Sequence, residues 1–116
     1  MNTNSFRALT SAADWSEAVD ASASHPVVIF KHSSMCPTSA RANGEMETLA
    51  EEANVPVYRV VVQEAREISD EIANDLNLKH ETPQVMVLSN GEAVFDTSHF
   101  RVKADAVRDA LENAPA

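Results

Sequence analysis

Two β-branched and aromatic runs, "PVVIFK" at 26–31 and "VPVYRVVV" at 55–62, are each followed by a stretch whose apolar residues recur at helical spacing. A run that is apolar on successive residues suits a strand buried on both faces, which requires helices above and below the sheet. After the first run, Ala40, Met46, Leu49, Ala50 and Ala53 mark the inward stripe of a helix predicted from Pro37 to about Asn54. Gly44 weakens that helix modestly. After the second run, Ile68, Ile72, Ala73 and Leu76 mark a helix through "REISDEIANDLNL". Strand–helix–strand units of this kind imply parallel strands covered by helices.

The flanking segments complete the pattern. Phe6 and Leu9 suit a short first strand. It leads into a helix in "SAADWSEAVDASA", where Ser11 and Asp14 resemble a capping box and Trp15, Ala18 and Val19 share a face. Residues 84–88 and 92–96 are predicted strands joined at Asn90-Gly91, a dipeptide suited to a type I′ hairpin because both residues tolerate positive φ. "KADAVRDALENA" reads as a last helix, with Val107, Ala110 and Leu111 inward. The expected architecture is an α/β fold in one domain, residues 1–116. Its order is β-α-β-α-β-α-β-β-α, with a central mixed sheet and helices on both faces.

Charge and cysteine content narrow the function. A net charge of −9 disfavours nucleic acid and anionic membranes as partners, since both repel an acidic surface. No window approaches the roughly 18 consecutive apolar residues of a membrane span. The start, "MNTNSFRALTSAADW", has neither the basic leader nor the apolar core of a secretory signal. The single cysteine excludes an internal disulfide, and the cytoplasm is the expected compartment.

That cysteine lies in "KHSSMCPTSARA". If a strand over 27–32 ends near His32 and a helix begins at Pro37, Cys36 is the N-cap, and proline suits the first helical position. The free N–H groups of Thr38 and Ser39, with the positive end of the helix dipole, would then favour the thiolate that attacks disulfides. Lys31 and His32, just upstream, would offset the acidic surface locally. Thr82-Pro83, ahead of a strand, is a candidate cis bond that would leave the Thr82 main chain free to pair with an extended thiol ligand.

Cys36-Pro37-Thr38-Ser39 resembles the Cys-x-x-Cys motif of the thioredoxin superfamily with serine in place of the second cysteine. Thr82-Pro83 is similar to that superfamily's cis-proline loop, and Met35 stands where thioredoxins usually carry tryptophan. More closely, "FKHSSMCPTS", "VQEAREIS", "KHETPQVMVLSNGE" and "SHF" resemble the monothiol bacilliredoxin family across roughly residues 27–100. Lys103 departs from that pattern, since a helix-capping Thr or Ser is expected there. The resemblance implies a thioredoxin-like fold and a cytosolic thiol–disulfide oxidoreductase. Its Cys36 would exchange mixed disulfides between S-thiolated client proteins and a low-molecular-weight thiol, with bacillithiol the expected one.

Ser39 cannot resolve a mixed disulfide, so an external thiol must do so. It would either donate a hydrogen bond to the Cys36 thiolate or face solvent. Lys31 is a candidate for holding a ligand carboxylate, by analogy with glutaredoxins, against the plainer reading of a solvated lysine. His32 is a candidate supporting cation, His80 and Glu81 are candidates to line the site, and His99 has no assigned role. No cofactor or metal is expected, because Cys36 and the histidines show no ligand spacing. A peroxiredoxin reading is disfavoured, since Ser33 precedes Cys36 where that pattern has Thr and no arginine lies near. The alternatives are an iron–sulfur carrier of the monothiol-glutaredoxin type and a redox-inert thioredoxin-fold binding module.

Overall fold

A computed structural model describes residues 6–52 and 56–114 of the chain. The elements run β1 (Arg7–Ala8), α1 (Ala12–Ala21), β2 (Val27–His32), α2 (Pro37–Glu52), β3 (Val57–Val61), α3 (Arg66–Leu76), β4 (Gln84–Ser89), β5 (Glu92–Ser98) and α4 (Ala104–Asn113). This is the expected order, with one addition: a 3₁₀ turn at His99–Arg101 before α4. β1 is two residues long and shorter than the segment proposed for it, while β5 runs two residues past its expected end. The expected end of α2, at Ala53 and Asn54, lies outside the described residues.

The five strands form one sheet in the order β1-β3-β2-β4-β5. β1, β3 and β2 are parallel, and β4 is antiparallel to both β2 and β5. Alternation along β2 and β4 divides the core. Val28, Phe30, Val85 and Val87 pack with Ala42, Met46 and Leu49 of α2 and Val107 of α4. Val27, Ile29, Met86 and Leu88 pack with Trp15 and Ala18 of α1 and Ile68 and Ile72 of α3. Each large aliphatic or aromatic side chain buried this way contributes about 1.5–3 kcal/mol, so the two-faced core supplies most of the stabilisation. Ala40, expected on the inward stripe of α2, is exposed. Ser39, Ala42, Met46 and Leu49 form the buried face instead; Ala40 stands six residues from Met46, about a third of a turn off that face.

Local signals at the element ends operate largely as read. Ser11 Oγ accepts from Asp14 N at 3.2 Å. The Asp14 carboxylate reaches back to Thr10 N (2.9 Å) and Thr10 Oγ1 (3.0 Å), which hold its pKa below the ordinary value. Asn90 and Gly91 both have positive φ, at 53° and 78°, and the hairpin tip is tied to the end of α1 by Asn90 N on Ser22 O (2.8 Å). Trp15 Nε1 donates to Asp75 Oδ2 at 2.7 Å and joins α1 to α3.

The departure at Lys103 has a structural answer. Lys103 is the N-cap of α4 and provides no side-chain hydrogen bond to the helix. Glu45, from the middle of α2, accepts from Ala104 N at 2.7 Å and places a carboxylate at the positive end of α4. A residue remote in sequence caps the helix. Glu45→Ala is therefore expected to lower stability by about 1–2 kcal/mol in urea denaturation, and Lys103→Ser in that background to recover about half of the loss. No recovery would mean that Glu45 acts by something other than capping.

Candidate active site around Cys36

The antiparallel register of β2 with β4 sets Lys31 opposite Gln84. The turn leaving β2, residues 33–36, and the loop entering β4, residues 77–83, therefore emerge at one end of the sheet. Cys36 is partly exposed there. Its carbonyl accepts from Ala40 N at 3.0 Å, the first bond of α2, which makes Cys36 the N-cap with Pro37 opening the helix. Thr38 is half-buried, and Met35, next to the thiol, is 81% exposed.

Ser39 does neither of the things expected of it. It has no exposed surface, and its Oγ accepts from Ser33 N at 2.8 Å and lies 2.9 Å from His32 Nδ1. Burial, and then the nearby Arg59 guanidinium, push the His32 pKa below its ordinary value. Both causes disfavour the charged ring that a supporting cation requires. The Ser39 hydroxyl and the His32 ring are hydrogen-bonded through Nδ1, whichever neutral tautomer the ring adopts. The Ser39 hydroxyl thus bonds both the main chain leaving β2 and the ring of the last residue of β2. The hydroxyl fastens the first turn of α2 to the end of β2.

A second clamp holds the same turn. Gln63, just beyond β3, accepts from Ser34 N at 3.1 Å through Oε1 and donates to Ser33 Oγ at 2.7 Å through Nε2. Ser33 Oγ also accepts from Met35 N at 3.3 Å. Sequence reasoning missed Gln63; its one signal was its place in "VQEAREIS", a polar residue directly after a buried strand.

The facing loop rests on Lys31, which is neither solvated nor able to reach a ligand. It has no exposed surface, and its Nζ lies 3.0 Å from His80 Nδ1, with Ser69 Oγ 3.3 Å from the same nitrogen. An ammonium only donates, so Nδ1 accepts and His80 is the neutral tautomer carrying its proton on Nε2. Burial, followed by the Lys31 charge, lowers the His80 pKa. Burial also lowers the Lys31 pKa to about 8, against the opposing pull of Asp70. Gln84 braces the loop, accepting from Glu81 N at 3.3 Å and donating to Lys79 O at 3.0 Å.

The Thr82-Pro83 peptide bond is cis, as expected; Thr82 is half-buried and Pro83 buried. His99 N donates to Pro83 O at 2.9 Å, and His99 Nδ1 lies 3.4 Å from Glu81 Oε1, so the "SHF" block closes over the same loop. Among the described residues, no three His, Cys, Asp or Glu side chains converge as a metal site.

Two stability measurements follow. Ser39→Ala leaves the Ser33 N–H buried without its acceptor and should cost about 1–3 kcal/mol in urea denaturation. Lys31→Met should instead raise stability by about 1–3 kcal/mol at pH 7, because it removes a desolvated cation from a dry site. The sign of its pH dependence follows from a native pKa below the unfolded one. Below pH 8 both states hold the proton and the burial penalty is complete. As pH rises from about 8 towards 10.5 the native state sheds the proton first, the wild type gains stability, and the advantage of the variant shrinks.

Comparison with known proteins agrees with this geometry. A family model described as monothiol bacilliredoxin BrxC matches residues 7–107. A solved structure described as a candidate oxidoreductase with a thioredoxin fold superposes with a TM-score of 0.83 at 31% identity, over 90% of this chain and 91% of that one. Thioredoxin from Fasciola hepatica gives 0.76 at 18% identity, over 95% of this chain and 100% of its own. A mutant thioredoxin from Halobacterium salinarum gives 0.73 at 16%, over 97% and 93%. The last two likenesses are likenesses of fold. The fold is that of thioredoxin, and, with the family model matched over most of its length, the chain belongs to the monothiol bacilliredoxin family.

Proposed function

We propose that this protein is a monothiol thiol–disulfide oxidoreductase that exchanges mixed disulfides between client proteins and a low-molecular-weight thiol through Cys36. The observation that carries this reading is the position of Ser39. A second cysteine there would resolve the mixed disulfide from within, whereas a buried hydroxyl bonded to Ser33 and His32 leaves resolution to an external thiol. Family membership supports the class of reaction, and bacillithiol as the small thiol rests on that membership.

In the proposed cycle the Cys36 thiolate attacks the small-thiol sulfur of a client mixed disulfide. A bond forms between Cys36 Sγ and that sulfur, the original S–S bond breaks, and the client departs as thiolate, taking up a proton from solvent. A second molecule of small thiol, as its thiolate, then attacks the adduct. Cys36 is released reduced and the small thiol leaves as its symmetrical disulfide. Pro37 and Thr38 hold the thiol at the start of α2. Thr82 and Pro83 offer main chain beside it for an extended ligand, and the exposed Met35 offers apolar surface to the client. The lone cysteine suits a reducing compartment, the cytoplasm.

Intact mass of the reduced protein after exposure to bacillithiol disulfide or glutathione disulfide tests this. One small-thiol adduct is expected, faster with bacillithiol, absent in Cys36→Ser, and removed by added thiol. No adduct with either disulfide, while the unfolded chain reacts readily, would mean an occluded thiol and an interaction module in place of an enzyme.

A further inference from the structure

Lys31 is hard to explain as scaffold. It is fully buried, and among the described residues no carboxylate lies within ion-pair distance of it. Its Nζ lies 3.0 Å from His80 Nδ1. An apolar residue at this point of β2 would avoid the cost of burying an ammonium, so its presence calls for a return elsewhere.

The geometry supplies one. Because Lys31 donates to Nδ1, the His80 proton sits on Nε2, and His80 is exposed. The imidazole therefore turns an N–H outward with a buried positive charge behind it, which polarises that N–H as a donor. Arg66, the first residue of α3, adds a second positive charge acting on the same ring. Lys79 is the adjacent residue and is exposed. Asp70 and Glu81 act in the opposite sense, with the Glu81 carboxylate directed at His99. On a chain with net charge −9, this places a cation-backed donor in the loop that leads to Pro83, at the sheet end that carries Cys36.

We propose that His80, backed by the buried Lys31 ammonium, donates a hydrogen bond to a carboxylate of the small thiol exchanged at Cys36, and so selects anionic over neutral thiols. This inference rests on the exchange reading above. In it His80 is the residue that touches the ligand. Lys31 is a positioning residue that fixes the tautomer and supplies the charge without touching the ligand itself.

The test compares rates of adduct formation at Cys36 with glutathione disulfide, which carries carboxylates, and hydroxyethyl disulfide, which carries none. The readout is their ratio, which cancels any change in the intrinsic reactivity of the thiol. His80→Ala and Lys31→Met should each lower the ratio about fivefold or more, and His80→Gln, which keeps an N–H donor, should lower it less than His80→Ala. High salt should lower the wild-type ratio and leave that of His80→Ala nearly flat. The same ratio in wild type and both variants would overturn the carboxylate site alone. A wild-type protein that reacts with neither disulfide, while its unfolded chain reacts with both, would overturn the exchange reading and this site with it.

Discussion

A single buried hydroxyl fixes where the thiol stands. Ser39 lies where the α2 stripe turns into the core, and its Oγ is shared between Ser33 N–H and the His32 ring. The hydroxyl therefore bonds the main chain and the ring at the end of β2. A polar group buried without such partners would cost about 1–3 kcal/mol, so the arrangement holds only while strand end and helix start remain together. The helix start is fixed to the sheet, and Cys36 is fixed to the helix start. The same group that removes internal resolution also supports the platform on which the thiol stands.

The sheet register makes the other half of the site. Since Lys31 pairs with Gln84, the thiol turn and the cis-proline loop leave the sheet side by side, and each has its own polar brace. Gln63 holds the thiol turn, while Lys31 and Gln84 hold the facing loop. The braces differ in energetic character. The Gln63 amide is exposed and satisfied at both ends, whereas Lys31 is a desolvated cation whose removal should stabilise the fold. A buried cation in a central strand, in contact with an exposed loop histidine, is not accounted for by packing alone.

Much of this was legible in the chain. The apolar runs, the helical stripes and Asn90-Gly91 each act through local chemistry, so the element order and the two-layered core could be read directly. Cys36-Pro37 announced a helix start for the same reason. What escaped were interactions decided by distant residues. Nothing near Lys103 signals that Glu45, from another helix, caps α4. Ser39 and Lys31 each find partners in the interior rather than at the thiol or in water, because burial at a helix start or a strand end depends on what packs over it. Ala40 was misplaced by an error of phase along one helix, and β5 runs on because it pairs with β4 as far as Gln84.

The central claim is that Cys36 takes the small thiol from a client and cannot release it alone. A single-turnover mixture of the reduced protein with an equimolar client carrying one glutathione or bacillithiol, followed by intact mass of both proteins, tests this most directly. The account predicts that the client is freed, that one small thiol appears on Cys36, and that the adduct persists until external thiol is added. Loss of the adduct without added thiol, or a client that keeps its modification beside an unmodified Cys36, would contradict it.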